Sequence, residues 1–220
     1  MSAFRLVLAR HGETESNVGG VLDSRPPGPP LTDLGRLQAE ALAEELAEEP
    51  VVAVYASVAT RARQTAAPLA ARHGHTVEVL EGVHEVQCGE LEGRSDVDAL
   101  RTFHEIFGSW HTGLVSSRLP GGESGQDVLD RFLPVLEELR DRHPEGTVVL
   151  VSHGAALRLV GGWIAENVTG RAADEVLLPN TGRVVLEADT SLASGWRCVF
   201  WTGHDDIGDD QPAGAGAAGD

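Results

Sequence analysis

Residues 7–17 read VLARHGETESN, and an apolar run that opens at Leu6 breaks off there at Arg10-His11-Gly12. A run of that kind is a short buried strand, and His11 stands at its carboxyl end. In parallel α/β sheets ligands bind beyond the carboxyl ends of the strands, so this position carries a functional expectation. The same tripeptide recurs as Arg72-His73-Gly74 inside AARHGHTVEV, residues 70–79. That copy closes a helical pattern, with Gly74 where a terminating glycine belongs. His73 is therefore read as a last-turn histidine favoured by the helix dipole.

Working outward, short Val- and Leu-rich strands are expected at 4–9, 51–56, 76–80, 147–152, 183–188 and 197–201. Helices are expected between them at 33–48, 58–73, 124–143 and 155–165. In the first of these Leu34, Leu37, Ala41, Leu42 and Leu46 share a helical stripe, and Thr32 or Asp33 can cap its start. In the third, Val128, Leu129, Phe132, Val135, Leu136 and Leu139 form the stripe. Strands alternating with helices predict a three-layer α/β fold: a mostly parallel central sheet with helices on both faces. The stretch 94–120, with Phe103, Phe107 and Trp110, reads as a small inserted helical cap. RPPGPP at 25–30 is a stiff, irregular loop. A single domain over 1–204 is expected, followed by an acidic tail, 205–220, too poor in apolar bulk to fold.

Composition narrows the chemistry. The chain has 220 residues and a formal net charge of −17, which argues against a nucleic-acid partner. No apolar stretch is long enough for a membrane span and none reads as a signal peptide, so a cytoplasmic location is expected. Cys88 and Cys198 form neither a disulfide framework nor a CxxC metal pair. All 17 basic residues are arginine. Without lysine there is no Schiff-base chemistry and no P-loop lysine. An anionic substrate must be gripped by arginine, histidine and backbone N–H groups.

Three strand ends supply such groups. The first offers Arg10 and His11; the second leads into VATRARQT, with Arg61 one turn into a helix; the fourth, TVVLVSHG, ends in His153-Gly154. Taken singly, each arginine could be a salt-bridge partner and each histidine a packed core residue. Converging at one sheet edge, two histidines and two arginines need an anion to balance them, and a guanidinium holds two phosphate oxygens at once. Glycine after each histidine permits close approach, and a helix start after each favours an anion. A neutral imidazole can take a phosphoryl group near neutral pH. The leaving oxygen needs a proton, and HEVQCGELEG at 84–93 offers Glu85, Glu90 and Glu92, of which Glu85 lies nearest the strand end.

Five blocks, in order, resemble the histidine phosphatase superfamily, also called phosphoglycerate mutase-like: LARHGETESN, LTDLGRLQA, YASVATRARQTA, EVQCGELEG and VSHGAALR. The resemblance implies that His11 is the phosphate-accepting nucleophile and that Arg10, Arg61 and His153 complete the phosphate pocket. It implies Asn17 as a further donor, Glu85 as general acid and then base, and Thr14 and Gly154 as substrate-facing positions. It implies no metal and no organic cofactor, a small phosphorylated substrate, and allows a homodimer. The family's Q-G-x-x-D-x-P-L run is replaced here by LDSRPPGPPLTDLG, and the Arg-Arg stretch that serves a second phosphate in true mutases is missing. The leading expectation is a phosphatase acting on a small phosphomonoester through a phosphohistidine. The alternatives are a phosphoglycerate mutase using the same pocket and a catalytically silent binding module.

Overall fold

The computed structural model describes residues 4–204 and 207, so the expected acidic tail lies outside the described residues apart from Ile207. Six strands form one sheet: β1 (Phe4–Arg10), β2 (Val51–Ser57), β3 (Val77–Leu80), β4 (Gly146–Ser152), β5 (Arg183–Ala188) and β6 (Trp196–Trp201). Their spatial order is β3-β2-β4-β1-β5-β6. The pairs β3·β2, β2·β4 and β4·β1 are parallel, while β1·β5 and β5·β6 are antiparallel. The sheet is thus mixed, with a parallel centre, as expected of strands joined by helical crossovers.

Period-two alternation sorts the central strands between two cores. Val7 and Ala9 of β1, Val54 and Ala56 of β2, and Val149 and Val151 of β4 face α2 (Asp33–Glu45) and α3 (Thr60–Arg72). Leu6, Leu8, Tyr55, Val148 and Leu150 face the other core. That second core is closed by α4 (Val97–His111), α5 (Gly125–Arg142) and α6 (Gly154–Ile164). The segment 94–120 carries α4, whose Phe107 and Trp110 join this core. Two short helices complete the set, α1 (Glu15–Val18) and α7 (Gly170–Glu175). No described helix is long and apolar enough to cross a membrane.

The stripe expected on α2 is corrected. Leu34, Leu37 and Ala41 are exposed, and the buried line is Gly35, Ala39, Leu42, Ala43 and then Leu46. The cause is backbone contact. A Cβ on Gly35 would overlap the Glu13 carbonyl oxygen, so the helix turns its glycine to the loop that follows β1. Apolar bulk at 34 and 37 yields to that close approach. Thr32 caps the helix, accepting from Gly35 N at 2.9 Å.

Candidate active site

β1 and β4 are adjacent and parallel, with Arg10 in register with Ser152. Their carboxyl ends therefore set His11 and His153 side by side, ring centroids 5.1 Å apart and edge to face at 62°. Both imidazoles are buried. Nδ1 of His11 lies 2.7 Å from the Gly12 carbonyl, a contact that requires Nδ1 to carry the proton. Nε2 is then the acceptor nitrogen, and Arg61 Nε donates to it across 3.1 Å. Burial, with Arg61 and Arg10 alongside, holds the His11 imidazole well below the usual histidine value, against a smaller opposite pull from the Gly12 bond. The ring is neutral across the neutral range, with Nε2 its basic atom.

His153 is oriented from behind. Its Nε2 lies 2.7 Å from the Ser57 hydroxyl, which also accepts from Ala59 N at 3.3 Å. When the Ser57 hydroxyl donates to Nε2, the His153 proton sits on Nδ1. Burial first, then Arg61 and His11, holds this ring well below its ordinary value too. The buried Nδ1 has no hydrogen-bond partner among the described residues, and neither do Arg10 Nε and Arg61 NH1. Arg61 NH1 has only an ionic partner, Asp23 Oδ1 at 3.6 Å. Three buried donors of this kind around one imidazole fit an oxyanion with several acceptor oxygens.

The two glycines that follow the histidines serve the protein's own packing. Neither has a positive φ. A Cβ on Gly12 would stand 2.5 Å from the Gly35 carbonyl, and one on Gly154 3.2 Å from Arg10 Nε. Gly154 thus makes room for the Arg10 side chain, whose NH1 is tied to the Leu178 carbonyl at 2.6 Å. The helix starts are likewise taken. Thr14 caps α1 and shares hydrogen bonds with Asn17. At the start of α6, Ala155 N and Ala156 N donate to the Glu85 carboxylate at 3.2 and 2.9 Å. The acceptor at that helix N-terminus is the Glu85 side chain itself, and these bonds hold its carboxyl group at the cavity wall.

Arg10, His11, Thr14, Asn17, Arg61 and Glu85 line one open cavity of about 170 Å³. His153 and Gly154, expected on the substrate side, are not among its lining residues, and Gly154 makes room for Arg10. Asn17 Oδ1 accepts from Thr14 N at 3.0 Å and from Asn180 Nδ2 at 3.2 Å, an orientation that leaves the amide NH₂ for the cavity. The far wall is Val21, Leu22, Asp23, Cys88 and Phe103, the last from α4. Glu90 and Glu92 do not line it. Glu92 accepts from Ser24 N and Arg25 N, capping the loop that opens into RPPGPP.

That loop bears on the phosphate-side machinery as well as on the substrate side. A Cβ on Gly28 would overlap Arg61 NH1, and Gly28 has φ +64°. The neighbouring Pro27 carbonyl accepts from Thr60 N at 2.8 Å, at the start of α3. His73, by contrast, caps the far end of α3 and bonds the Leu46 carbonyl at 3.1 Å.

Sequence reasoning missed several contributors. Asn180 donates to the His11 carbonyl at 3.0 Å, and Thr181, φ +58°, donates its N–H to the Arg10 carbonyl at 3.1 Å. Its only signal is the turn-like LPNTG before β5. Ser57 was legible as a polar residue ending a buried strand. Asp23 stands in LDSRPPGPPLTDLG, where no local pattern marks it.

A mixed α/β sheet with two buried histidines and two arginines at the carboxyl edge of its parallel centre defines an α/β protein with a site suited to an oxyanion. The histidine phosphatase superfamily (branch 1) matches residues 6–202, and the chain belongs to that family. A glucosyl-3-phosphoglycerate phosphatase of Mycolicibacterium vanbaalenii is 36% identical over 171 residues, 71% of this chain and 72% of that protein. A probable phosphoglycerate mutase, GpmB, of Shigella boydii is 33% identical over 205 residues, 87% of this chain and 89% of that one. The PE-PGRS family protein PE_PGRS11 of Mycobacterium tuberculosis is 29% identical over 212 residues, and the match spans only 36% of its length. Among solved structures, a mycobacterial glucosyl-3-phosphoglycerate phosphatase in complex with VO3 superposes with a TM-score of 0.76. It is 29% identical and covers 90% of this chain and 98% of that one.

Proposed function

We propose that the protein is a phosphomonoesterase that hydrolyses a small phosphorylated alcohol through a phosphohistidine at His11. The observation that carries this reading is the state of Nε2: neutral, basic and held by Arg61 at the wall of the cavity. A phosphoryl oxygen entering between Arg10 and Arg61 competes for the Arg61 N–H and frees the Nε2 lone pair. Nε2 then attacks phosphorus, the ester P–O bond breaks, and Glu85 delivers a proton to the departing alkoxide. Arg10, Arg61, the His153 Nδ1–H and the Asn17 amide stabilise charge on the phosphoryl oxygens. Water next attacks the phosphohistidine. The Glu85 carboxylate takes its proton, the N–P bond breaks, and phosphate leaves a neutral His11.

The likeness to a probable phosphoglycerate mutase supports a second reading, in which the phosphoryl group returns to a sugar acid. One experiment separates them and tests both. Purified protein is screened against phosphorylated metabolites for phosphate release, with His11→Ala as control. Release that depends on His11 is expected; transfer to a second hydroxyl without release favours the mutase, and activity surviving in His11→Ala overturns both.

A further inference from the structure

Glu85 comes from a connection with no regular structure, between β3 and the 3-10 turn Gly89–Leu91, and a loop carboxylate needs an external frame to act at one position. That frame is Arg131 on α5. Its NH1 donates to the carbonyls of Gly82 at 2.6 Å and His84 at 2.9 Å, and its NH2 donates to the carbonyl of Glu85 at 3.1 Å. The remaining two N–H groups form a fork on Glu123, Nε to Oε1 at 2.8 Å and NH2 to Oε2 at 3.0 Å. All five guanidinium donors are used, and both side chains of the pair are 16% exposed. Glu123 carries the clamp past the carboxylate: Oε2 also accepts from Gln87 N at 2.8 Å, and Glu123 N donates to the Gln87 carbonyl at 3.0 Å. Ser152, next to His153, donates its hydroxyl to the Val83 carbonyl at 2.7 Å. The backbone before Glu85 is thereby tied to the end of β4, next to His153, and the backbone after it to Glu123.

We propose that Arg131, locked in place by Glu123, is the positioning residue of the proton donor, setting where the Glu85 carboxylate meets the leaving oxygen. The inference rests on the reading of Glu85 as general acid. Arg131 does not line the cavity, and its hydrogen bonds reach the site through the Glu85 segment; its charge also bears on His153, and lysine keeps that charge. A lysine at 131 supplies at most three donors from a point charge and cannot hold three carbonyls and a bidentate carboxylate together.

The test is a double-mutant cycle read on two leaving groups, with Arg131→Lys, Glu85→Gln and their combination. An acid matters for an alkyl phosphate and far less for p-nitrophenyl phosphate, whose phenolate departs unaided. Read on kcat/KM, which ends at transfer to His11 and excludes the later hydrolysis in which Glu85 also serves, Arg131→Lys is expected to cost roughly 10- to 10²-fold on the alkyl ester. On p-nitrophenyl phosphate it should cost no more than about 3-fold, and in the Glu85→Gln background little further loss should follow on either ester. Glu123→Gln, which keeps the shape and weakens the fork, should show the same leaving-group bias if Arg131→Lys does not fold. Equal losses on both esters, or losses that add to those of Glu85→Gln, would assign Arg131 to general stability and overturn the proposal. Should Glu85→Gln alone leave alkyl ester turnover intact, the acid assignment fails first, and the positioning role falls with it.

Discussion

Arg61 Nε and His11 Nε2 are 3.1 Å apart, although they come from the start of α3 and the end of β1, 50 residues away in sequence. In the proposed mechanism the contact joins the cation that binds the phosphoryl group to the nucleophile. It also separates the two Arg-His-Gly copies, because the second histidine faces a backbone carbonyl at the opposite end of α3.

His11→Ala should therefore abolish turnover, with a loss on the order of 10³-fold or more. His73→Ala should leave kcat within about 2-fold, since it removes one surface-side contact. Steady-state rates on one active ester decide the matter, and similar losses in the two variants would contradict the assignment.

A covalent intermediate is expected. Brief reaction with a phosphorus-labelled ester, quenched without acid, should leave a label that survives base and is lost in acid. Peptide mapping should place it on the segment that contains His11. A label on serine, or none under rapid quench, would point to direct attack by water.

Gly28 is predicted to matter more than an exposed loop glycine should. A methyl group there meets Arg61 NH1, and φ is already +64°. Gly28→Ala should lower kcat/KM by about 10-fold on alkyl and aryl phosphates alike and weaken inhibition by inorganic phosphate. Unchanged phosphate inhibition would mean that the loop bends away without touching Arg61.

Catalysis should be indifferent to chelation. The proposed nucleophile, His11, the proposed proton donor, Glu85, and the cations Arg10 and Arg61 all line one cavity. Activity after EDTA treatment and desalting should stay within about 20% of the untreated rate. Loss on chelation, restored by a divalent metal, would contradict this.

Stability should fall on the acid side. Burial pushes the His111 ring down to about 4, with Asp174 opposing and Arg158 adding to the shift, and it also lowers His11 and His153. The unfolded chain takes up these protons near the ordinary histidine value of about 6.5, whereas the folded chain does not. The contribution is full above that pH and declines as pH falls, for His111 until about pH 4, where the native ring also protonates. Unfolding midpoints between pH 8 and 4.5 measure it. His111→Gln should flatten the acid slope by up to about 1.4 kcal/mol per pH unit. An unchanged slope would mean that the ring titrates alike in both states.

The strand–His–Gly pattern at two strand ends, the arginine one turn into α3 and, in HEVQCGELEG, the carboxylate nearest β3 were all legible without coordinates. Each is a local juxtaposition of residue types with an element boundary, and apolar periodicity marks such boundaries reliably. Family resemblance then ordered the blocks. Sequence also placed all six strands and the four long helices of the βα alternation to within a few residues.

Only the tertiary structure decided what lies between these elements. Leu34 and Leu37 were misassigned to a buried face because helix rotation is set by the Gly35–Glu13 backbone contact, which hydrophobic periodicity cannot register. The proline loop's bearing on Arg61, Asn180 behind His11 and the Arg131–Glu123 clamp on the Glu85 loop join residues 33 to 169 positions apart, counting Gly28 to Arg61 and His11 to Asn180. Contacts at such separations depend on strand order and crossover geometry, and these arise when the sheet closes its two cores. A sequence names the groups that can do the chemistry; the packed sheet alone sets their distances and protonation states, because burial is a property of the whole fold.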